Sequence, residues 1–233
     1  MHEDLARLER LDTLDRGVAS RKTEIEKLAV RLTEARNAAK HAAAALEEAE
    51  TKVSDNDAAQ KANVRKTREF QQRMASAIKI MEMGAGDPDA AERQRTKCAA
   101  LIDEAETEML ELMEAADEAE ASRVAAQTAQ AEAEATRVTA ESEVPDHTQR
   151  LEAEIQDLLA KRPGLLAELP SDHRGRYEAF RARNKWAVAR IERNACTACR
   201  MEVRPQHLTD LRKGRMEPCR GCHRWLIPDK ELV

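Results

Sequence analysis

The chain has 233 residues, enough for one or two domains, and its composition is unusual for a globular enzyme. Aromatic residues make up only 2% and charged residues 36%, while glycine and proline number seven each. A dinucleotide-binding sheet, a TIM barrel or a β-sandwich needs more large apolar side chains for its core and more glycine and proline for its turns. Abundant Ala, Glu, Arg, Lys and Leu instead indicate long helices or a coiled coil.

No stretch of the chain approaches the roughly 18 apolar residues that a membrane-spanning helix requires. The first residues, MHEDLARLERLD, are charged and lack the apolar centre of a signal peptide. We therefore expect no membrane association and a cytoplasmic location. Thiols stay reduced in the cytoplasm, so a cysteine pattern there favours metal binding over disulfides.

The net charge of −5 conceals two regions of opposite sign. Residues 172–233 carry 15 Lys and Arg against 8 Asp and Glu, a balance of +7, whereas the rest of the chain has a balance of −12. This asymmetry predicts two domains: a helical hairpin at residues 1–170 and a small, basic domain at residues 171–233.

A long ladder of apolar residues, spaced alternately three and four apart, runs through the first eighty residues. Such spacing is typical of a coiled-coil seam. Only Arg21 interrupts its first part, whose rungs are Leu11, Leu14, Val18, Ile25, Leu28, Leu32, Ala35, Ala39, Ala42, Leu46, Ala49 and Val53. Four polar rungs follow and predict a weak, hydrated stretch or a local break: Asn56, Gln60, Asn63 and Thr67.

Two glycines and a proline between Gly84 and Pro88 form the strongest helix breaker in the acidic region. Asp87 and Pro88 suit the N-cap and the first residue of a second helix. A second ladder begins at Cys98, a small buried residue by this interpretation, and Pro145 is expected to kink or break the helix. The similar lengths on either side predict an antiparallel hairpin with its turn near residues 84–88. A turn within residues 54–66 and a parallel dimer of straight helices are the alternatives.

Four of the five cysteines form two Cys-x-x-Cys pairs separated by 19 residues: Cys196, Cys199, Cys219 and Cys222. This pattern predicts one structural Zn²⁺ in a closed tetrahedral site of four thiolates. Gly221 is expected to supply an unusual backbone angle in the second turn. A metal-free set or two redox dithiols is the alternative, and His207 or His223 could replace a cysteine ligand.

The sequence around the cysteines predicts a very small domain that depends on its metal for stability. Residues 185–192 and 225–228 are expected to form short strands, and residues 205–213 one or two helical turns ended by Gly214. Trp186 and Trp225 are expected to pack the core, with stacking on nucleic-acid bases as the alternative.

The basic surplus suggests a phosphate-contacting surface that could bind DNA or RNA. An ordinary surface that docks an acidic protein is the competing interpretation. No phosphate loop, nucleophile elbow or other catalytic motif is present in the sequence, and we expect no enzymatic activity. The candidate phosphate contacts are Arg181, Arg183, Lys185, Arg204, Arg212, Lys213 and Arg220.

The hairpin pattern, the spacing Tyr177-x-x-x-Arg181 and the four cysteines together resemble the bacterial C4-type zinc-ribbon family. This family includes zinc-ribbon proteins of flagellar biogenesis and type III secretion. The segment Val64-Arg-Lys-Thr-Arg-Glu-Phe70 is similar to the family's Val-Arg-Thr-Asn-Lys-Glu-Tyr segment. The chain departs from the family pattern in two places. An insertion follows this segment at about residues 83–95, and residues 222–227 read Cys-His-Arg-Trp-Leu-Ile where the family often has Cys-Gly-Arg-Ile-Leu-Tyr. The resemblance implies a non-enzymatic protein-binding adaptor, with nucleic-acid binding proposed for the ribbon.

Overall fold

The computed structural model describes residues 3–84, 86–183, 185–213 and 215–228. Two long helices, α1 (Glu3–Met83) and α2 (Pro88–Ala167), precede a short helix α3 (Ser171–Ala182). The remaining elements are β1 (Val188–Glu192), β2 (Ala195–Cys196), α4 (Pro205–Arg212) and β3 (Trp225–Ile227). The mainly α-helical hairpin with a small C-terminal domain, expected from the sequence, is confirmed. None of the helices in the described ranges is long and apolar enough to cross a membrane.

The break between α1 and α2 lies at residues 84–87, and α1 is continuous through residues 54–66. Gly84 and Gly86 both have left-handed backbone angles, with φ of 62° and 83°, which glycine adopts without steric cost. The Asp87 carboxylate accepts hydrogen bonds from the backbone N–H groups of Asp89 and Ala90, at 3.0 and 3.3 Å. Asp87 therefore caps α2, and Pro88 occupies its first position.

Of the two effects expected of Pro145, a kink or a break in the second helix, the break is wrong and the kink stays a prediction. Helix α2 continues through both Pro145 and Pro163. Val144, Leu151 and Ile155 are all buried on either side of Pro145. Burial of these side chains favours the helical path strongly enough to offset the hydrogen bond that the proline cannot donate.

The chain divides into two compact units. We call Arg31–Ser142 the central unit, and Met1–Val30 together with Glu143–Val233 the terminal unit. The domain boundary that the charge distribution suggests, at residue 170, stays a prediction.

The central unit has a seam of small and polar side chains. Its buried residues are mostly alanines, together with Cys98, which is only 1% exposed and accepts a hydrogen bond from Gln94. Two of the four polar residues bond across the seam: buried Asn63 donates to Glu108 Oε2 at 2.9 Å, and Gln60 donates to the Leu112 carbonyl at 3.2 Å. Asn56 and Thr67 bond within α1, to Gln60 and Asn63. The predicted local break is therefore a hydrogen-bonded layer within continuous helices.

The terminal unit contains a three-stranded sheet of order β2-β1-β3. Strand β1 pairs antiparallel with β2, where Ile191 lies opposite Cys196, and parallel with β3, where Val188 lies opposite Trp225. One face of the sheet joins a core with the leucines of α1 and with Tyr177 of α3. A second core surrounds the cysteines and contains Ala189, Ile191, Val203, Leu211 and Leu226. The first predicted strand thus begins at Val188, later than residue 185, and Gly214 lies outside the described residues.

Candidate metal centre and the network that holds it

Both Cys-x-x-Cys segments adopt the same backbone turn. In the first, the Cys196 carbonyl accepts from the Arg200 N–H at 2.7 Å, and the Cys196 N–H donates to the Met201 carbonyl at 2.9 Å. In the second, the Cys219 carbonyl accepts from the His223 N–H at 2.8 Å, and the Cys219 N–H donates to the Arg224 carbonyl at 2.7 Å. The two turns therefore repeat one hydrogen-bond pattern and point two sulfurs each toward a common centre.

The unusual backbone angles of these turns lie one residue after the second cysteine of each pair. Arg200 has φ of 60° and His223 has φ of 59°. Gly221, the residue expected to supply such an angle, has no left-handed φ. Glycine is instead required at this position because there is no room for a side chain: a Cβ at Gly221 would lie 2.8 Å from the Met201 methyl and 3.4 Å from the Cys199 sulfur.

The four sulfurs lie within 4.8 Å of one another and could hold a metal ion. Cys196 Sγ lies 3.7 Å from Cys222 Sγ, and Cys199 Sγ lies 3.5 Å from Cys219 Sγ. A tetrahedron of sulfurs about 2.3 Å from Zn²⁺ has edges of about 3.8 Å, and a disulfide is far shorter, at about 2.05 Å. The donor set and spacing therefore fit one tetrahedral thiolate-bound ion. Neither His207 nor His223 belongs to this cluster.

The thiols differ in how readily they lose their protons. Burial raises the pKa of the Cys196 thiol to about 12 and also raises the pKa of the Cys199 thiol. Burial acts in the same direction on Cys219, but hydrogen bonds from the backbone N–H groups of Cys222 and Gly221 outweigh it and lower the pKa to about 7. A bound metal requires thiolates, so binding must displace protons from Cys196 and Cys199, whose pKa is raised.

Two arginines attach the second cysteine turn to the rest of the terminal unit. The Arg224 guanidinium donates to the Trp186 carbonyl at 2.7 Å, and the Arg176 guanidinium donates to the His223 carbonyl. Arg176 also stacks on the Trp225 ring, 4.6 Å from its centroid. His223 and Arg224 are the residues whose backbone groups close the turn around Cys219. The arginines therefore fix the path of the backbone that positions two of the four sulfurs.

A buried carboxylate, Asp15 of α1, lies at the centre of a network that the sequence interpretation missed. Its two oxygens accept from Arg162 of α2 at 2.8 and 3.2 Å, and one also accepts from the Tyr177 hydroxyl at 2.9 Å. The Arg181 guanidinium of α3 lies 3.4 Å from the same carboxylate. Burial is the largest cause that raises the pKa of the Tyr177 hydroxyl, and the negative charge of Asp15 adds to it. Asp15 thus joins three helices.

Trp186 is enclosed by two cations. The guanidinium of Arg16 lies 4.4 Å from the ring centroid and that of Arg181 lies 4.2 Å from it. Arg16 also binds the buried carboxylate of Asp12, which accepts a hydrogen bond from the Ala187 N–H. Trp225 is only 2% exposed, in contact with His173, Phe180 and Arg176. Trp225 is therefore packed internally, which favours the core interpretation for it, whereas Trp186 is half-buried and both of its neighbouring cations come from this chain.

A sequence signal for this network existed in part. Asp12 and Asp15 each directly follow a predicted seam residue, Leu11 and Leu14. Acidic residues in such positions of a coiled coil are usually exposed to solvent, so the pattern predicted exposed carboxylates. The spacing Tyr177-x-x-x-Arg181 marked two of the partners but not the residue that they share.

The candidate phosphate contacts are distributed between different environments. Arg181 is engaged by Asp15 and Trp186. Arg204 and Arg220 line one cavity of about 430 Å³, together with His207 and Cys219. Like Arg204 and Arg220, the others are exposed: Arg183, Lys185, Arg212 and Lys213. Nucleic-acid binding through these residues stays a prediction.

A long helical hairpin followed by a small domain with four clustered cysteines defines the class of this protein. The chain belongs to the CT398-like coiled-coil hairpin domain family, whose model matches residues 8–185. The match ends before the cysteines, so the finer resemblance to the C4-type zinc-ribbon proteins of flagella and type III secretion stays a prediction.

Two solved structures share the fold. The HP0958 protein of Helicobacter pylori is 19% identical, with a TM-score of 0.62 over 97% of each chain. CT398 of Chlamydia trachomatis is 18% identical, with a TM-score of 0.54 over 97% of this chain and 95% of its own. At these identities the likeness shows the fold alone. No curated protein matches the chain.

Proposed function

We propose that this protein is a non-enzymatic, zinc-binding adaptor that acts in the cytoplasm. The observation that carries the proposal is the cluster of four cysteine sulfurs within 4.8 Å of one another. Four thiolates fill the tetrahedral shell of Zn²⁺ and leave no position for water or substrate, so the ion has a structural role. The cytoplasm is the compartment that keeps such thiols reduced.

The long helices support the adaptor half of the proposal. The central unit exposes large apolar side chains on the outside of its helices, among them Leu110, Met113, Val124 and Val138, each at least half exposed. Exposed apolar residues on a rigid helical scaffold are suited to binding other proteins. Within the terminal unit, the Asp15 and Trp186 network described above would hold the metal domain on the ends of the long helices.

Metal analysis and affinity capture test the two halves separately. The purified full chain should contain one zinc per chain by elemental mass spectrometry, and the Cys219→Ser, Cys222→Ser double variant should contain none. Tagged full chain should retain its protein partners from a lysate of the native cell after nuclease treatment. Zinc retained by the double variant would contradict the metal assignment, and capture that nuclease abolishes would favour nucleic-acid binding instead.

A further inference from the structure

One stretch of α2, residues 98–122, has an extreme charge. It contains nine acidic residues and no lysine, arginine or histidine. Within the described part of the chain, Glu108 is paired with Lys66 and Glu120 with Arg123. The other seven acids of the stretch make no ion pair among the described residues: Asp103, Glu104, Glu106, Glu111, Glu114, Asp117 and Glu118.

Two large apolar side chains lie in the middle of this acidic stretch and face outward. Leu110 is 64% exposed and Met113 is 54% exposed. Glu106, Leu110, Met113 and Asp117 follow one another at helical spacings of four, three and four residues, so they form one row along the helix. The seam row lies one residue earlier, at Ile102 and Ala105, which are both buried. The outward row is therefore a helix flank without a covering element in the described central unit.

We propose that this flank, which we call the acidic face, binds a lysine- or arginine-rich amphipathic helix of a partner protein. The apolar side of such a helix would cover Leu110 and Met113, and its cations would lie beside the unpaired carboxylates. Helices dock by matching an apolar stripe to exposed apolar positions, and complementary charge selects the partner and its orientation. This proposal deepens the adaptor function, on which it rests, by naming the chemistry of one partner.

In its described residues, a second copy of this chain offers no long basic helix as the occupant. The +7 balance of residues 172–233 is distributed over two short helices, strands and loops. The basic stretch of α1, residues 60–73, has five cations, but three of them are already paired: Lys61 with Asp57, Lys66 with Glu108 and Arg73 with Glu69. Nucleic acid and anionic lipid surfaces are excluded on charge, because the acidic face would repel them.

Fluorescence anisotropy with the full-length, zinc-loaded protein tests the proposal. The probe is a labelled 18-residue amphipathic peptide of leucine and lysine, and its counterpart replaces every lysine with glutamate. We expect the lysine peptide to bind at least about tenfold more tightly than the glutamate peptide at moderate salt, with a difference that shrinks as salt rises. Equal binding of the two peptides, or no binding of the lysine peptide, would overturn the proposal.

Two variants test whether the lysine peptide binds at Leu110 and Met113 or is attracted to the acidic helices in general. Leu110→Gln with Met113→Gln leaves the charge unchanged and should weaken binding of the lysine peptide at least about fivefold. Val138→Gln is the control, because Val138 is 53% exposed on the same helix but lies outside the acidic stretch, and it should leave the affinity unchanged. Equal affinities for the wild type and the double variant would overturn the proposal.

Analytical sedimentation of the protein without peptide tests whether a second copy of this chain occupies the acidic face. Self-association that the Leu110→Gln, Met113→Gln variant abolishes would assign the face to a second copy and overturn the proposal. Each of these outcomes is independent of the zinc content, so failure of this proposal is distinguishable from failure of the metal assignment.

Discussion

The two compact units bury polar groups in different ways. In the central unit, polar residues interrupt a seam of alanines, and Asn63 joins one helix to its neighbour through a single hydrogen bond to Glu108. In the terminal unit, Asp15 receives hydrogen bonds or ion pairs from Arg162, Tyr177 and Arg181. A polar rung in a seam chiefly defines register, at a cost in stability, whereas a carboxylate shared by several donors is difficult to replace.

The largest expected effect is removal of the metal ligands from the terminal unit. In the Cys219→Ser, Cys222→Ser variant, the cysteine turns and the core around them should unfold, because that small core depends on the metal for most of its stability. Far-ultraviolet circular dichroism should change little, since the long helices remain, while the near-ultraviolet signals of the two tryptophans should weaken, because β3 contributes to both cores. The control is Cys98→Ser, which lies outside the sulfur cluster and should keep one zinc per chain. Native near-ultraviolet signals in the metal-free double variant would contradict this prediction.

Asp15→Asn is expected to have the next largest effect. The substitution removes a buried negative charge and leaves Arg162 and Arg181 without their shared partner. Breaking a buried ion pair by removing one member typically costs about 3–5 kcal/mol. Chemical denaturation, followed by tryptophan fluorescence, should show destabilisation on this scale.

The matched control for Asp15→Asn is Asp57→Asn, which removes the carboxylate of the exposed Lys61–Asp57 pair on α1 of the central unit. Exposed pairs contribute little, so the midpoint of unfolding should barely move. Equal shifts in the two variants would show that the Asp15 network does not hold the terminal unit together.

A substitution in the central unit should have the opposite sign. Asn63→Leu replaces a buried polar rung with an apolar one, and Glu108 keeps its ion pair with Lys66. A polar residue in a coiled-coil seam typically reduces stability, so the variant should be stabilised by about 1 kcal/mol. Tyr177→Phe, which removes one hydrogen bond to Asp15 in the terminal unit, should instead destabilise by about 1–2 kcal/mol. Thermal unfolding of the two variants measures this contrast, and a shift of the same sign in both would contradict it.

The sequence predicts a feature well when the residues that form it are close together along the chain, and poorly when they are far apart. The heptad ladder, the Gly84–Pro88 breaker and the two cysteine pairs are local patterns, and each led to the observed helices or to the sulfur cluster. The angle assigned to Gly221 was wrong, because the same turn recurs at Arg200 and His223, where the sequence gives no glycine. The Asp15 network was missed because Asp15 lies 147 residues from Arg162 along the chain. No local pattern reports such a contact.

The smallest expected effect concerns Asp12, the neighbour of Asp15 in the terminal unit. Burial raises the pKa of the Asp12 carboxyl above its ordinary value of 3.8, although Arg16 and the Ala187 N–H partly oppose the increase. A raised pKa means that the folded state binds this proton more tightly than the unfolded state does. The stabilisation from protonated Asp12 is therefore complete below pH 3.8 and is lost as the pH rises through the raised pKa.

Asp12→Asn is the substitution that isolates this contribution. The Asn side-chain oxygen can still accept hydrogen bonds from Arg16 and from the Ala187 N–H, but it carries no charge that titrates. Relative to wild type, the variant should gain stability as the pH rises through the raised pKa of Asp12. Denaturation at a series of pH values between about 3.5 and 7 measures the difference. Parallel stability curves across that range would show that Asp12 carries no pH-dependent cost.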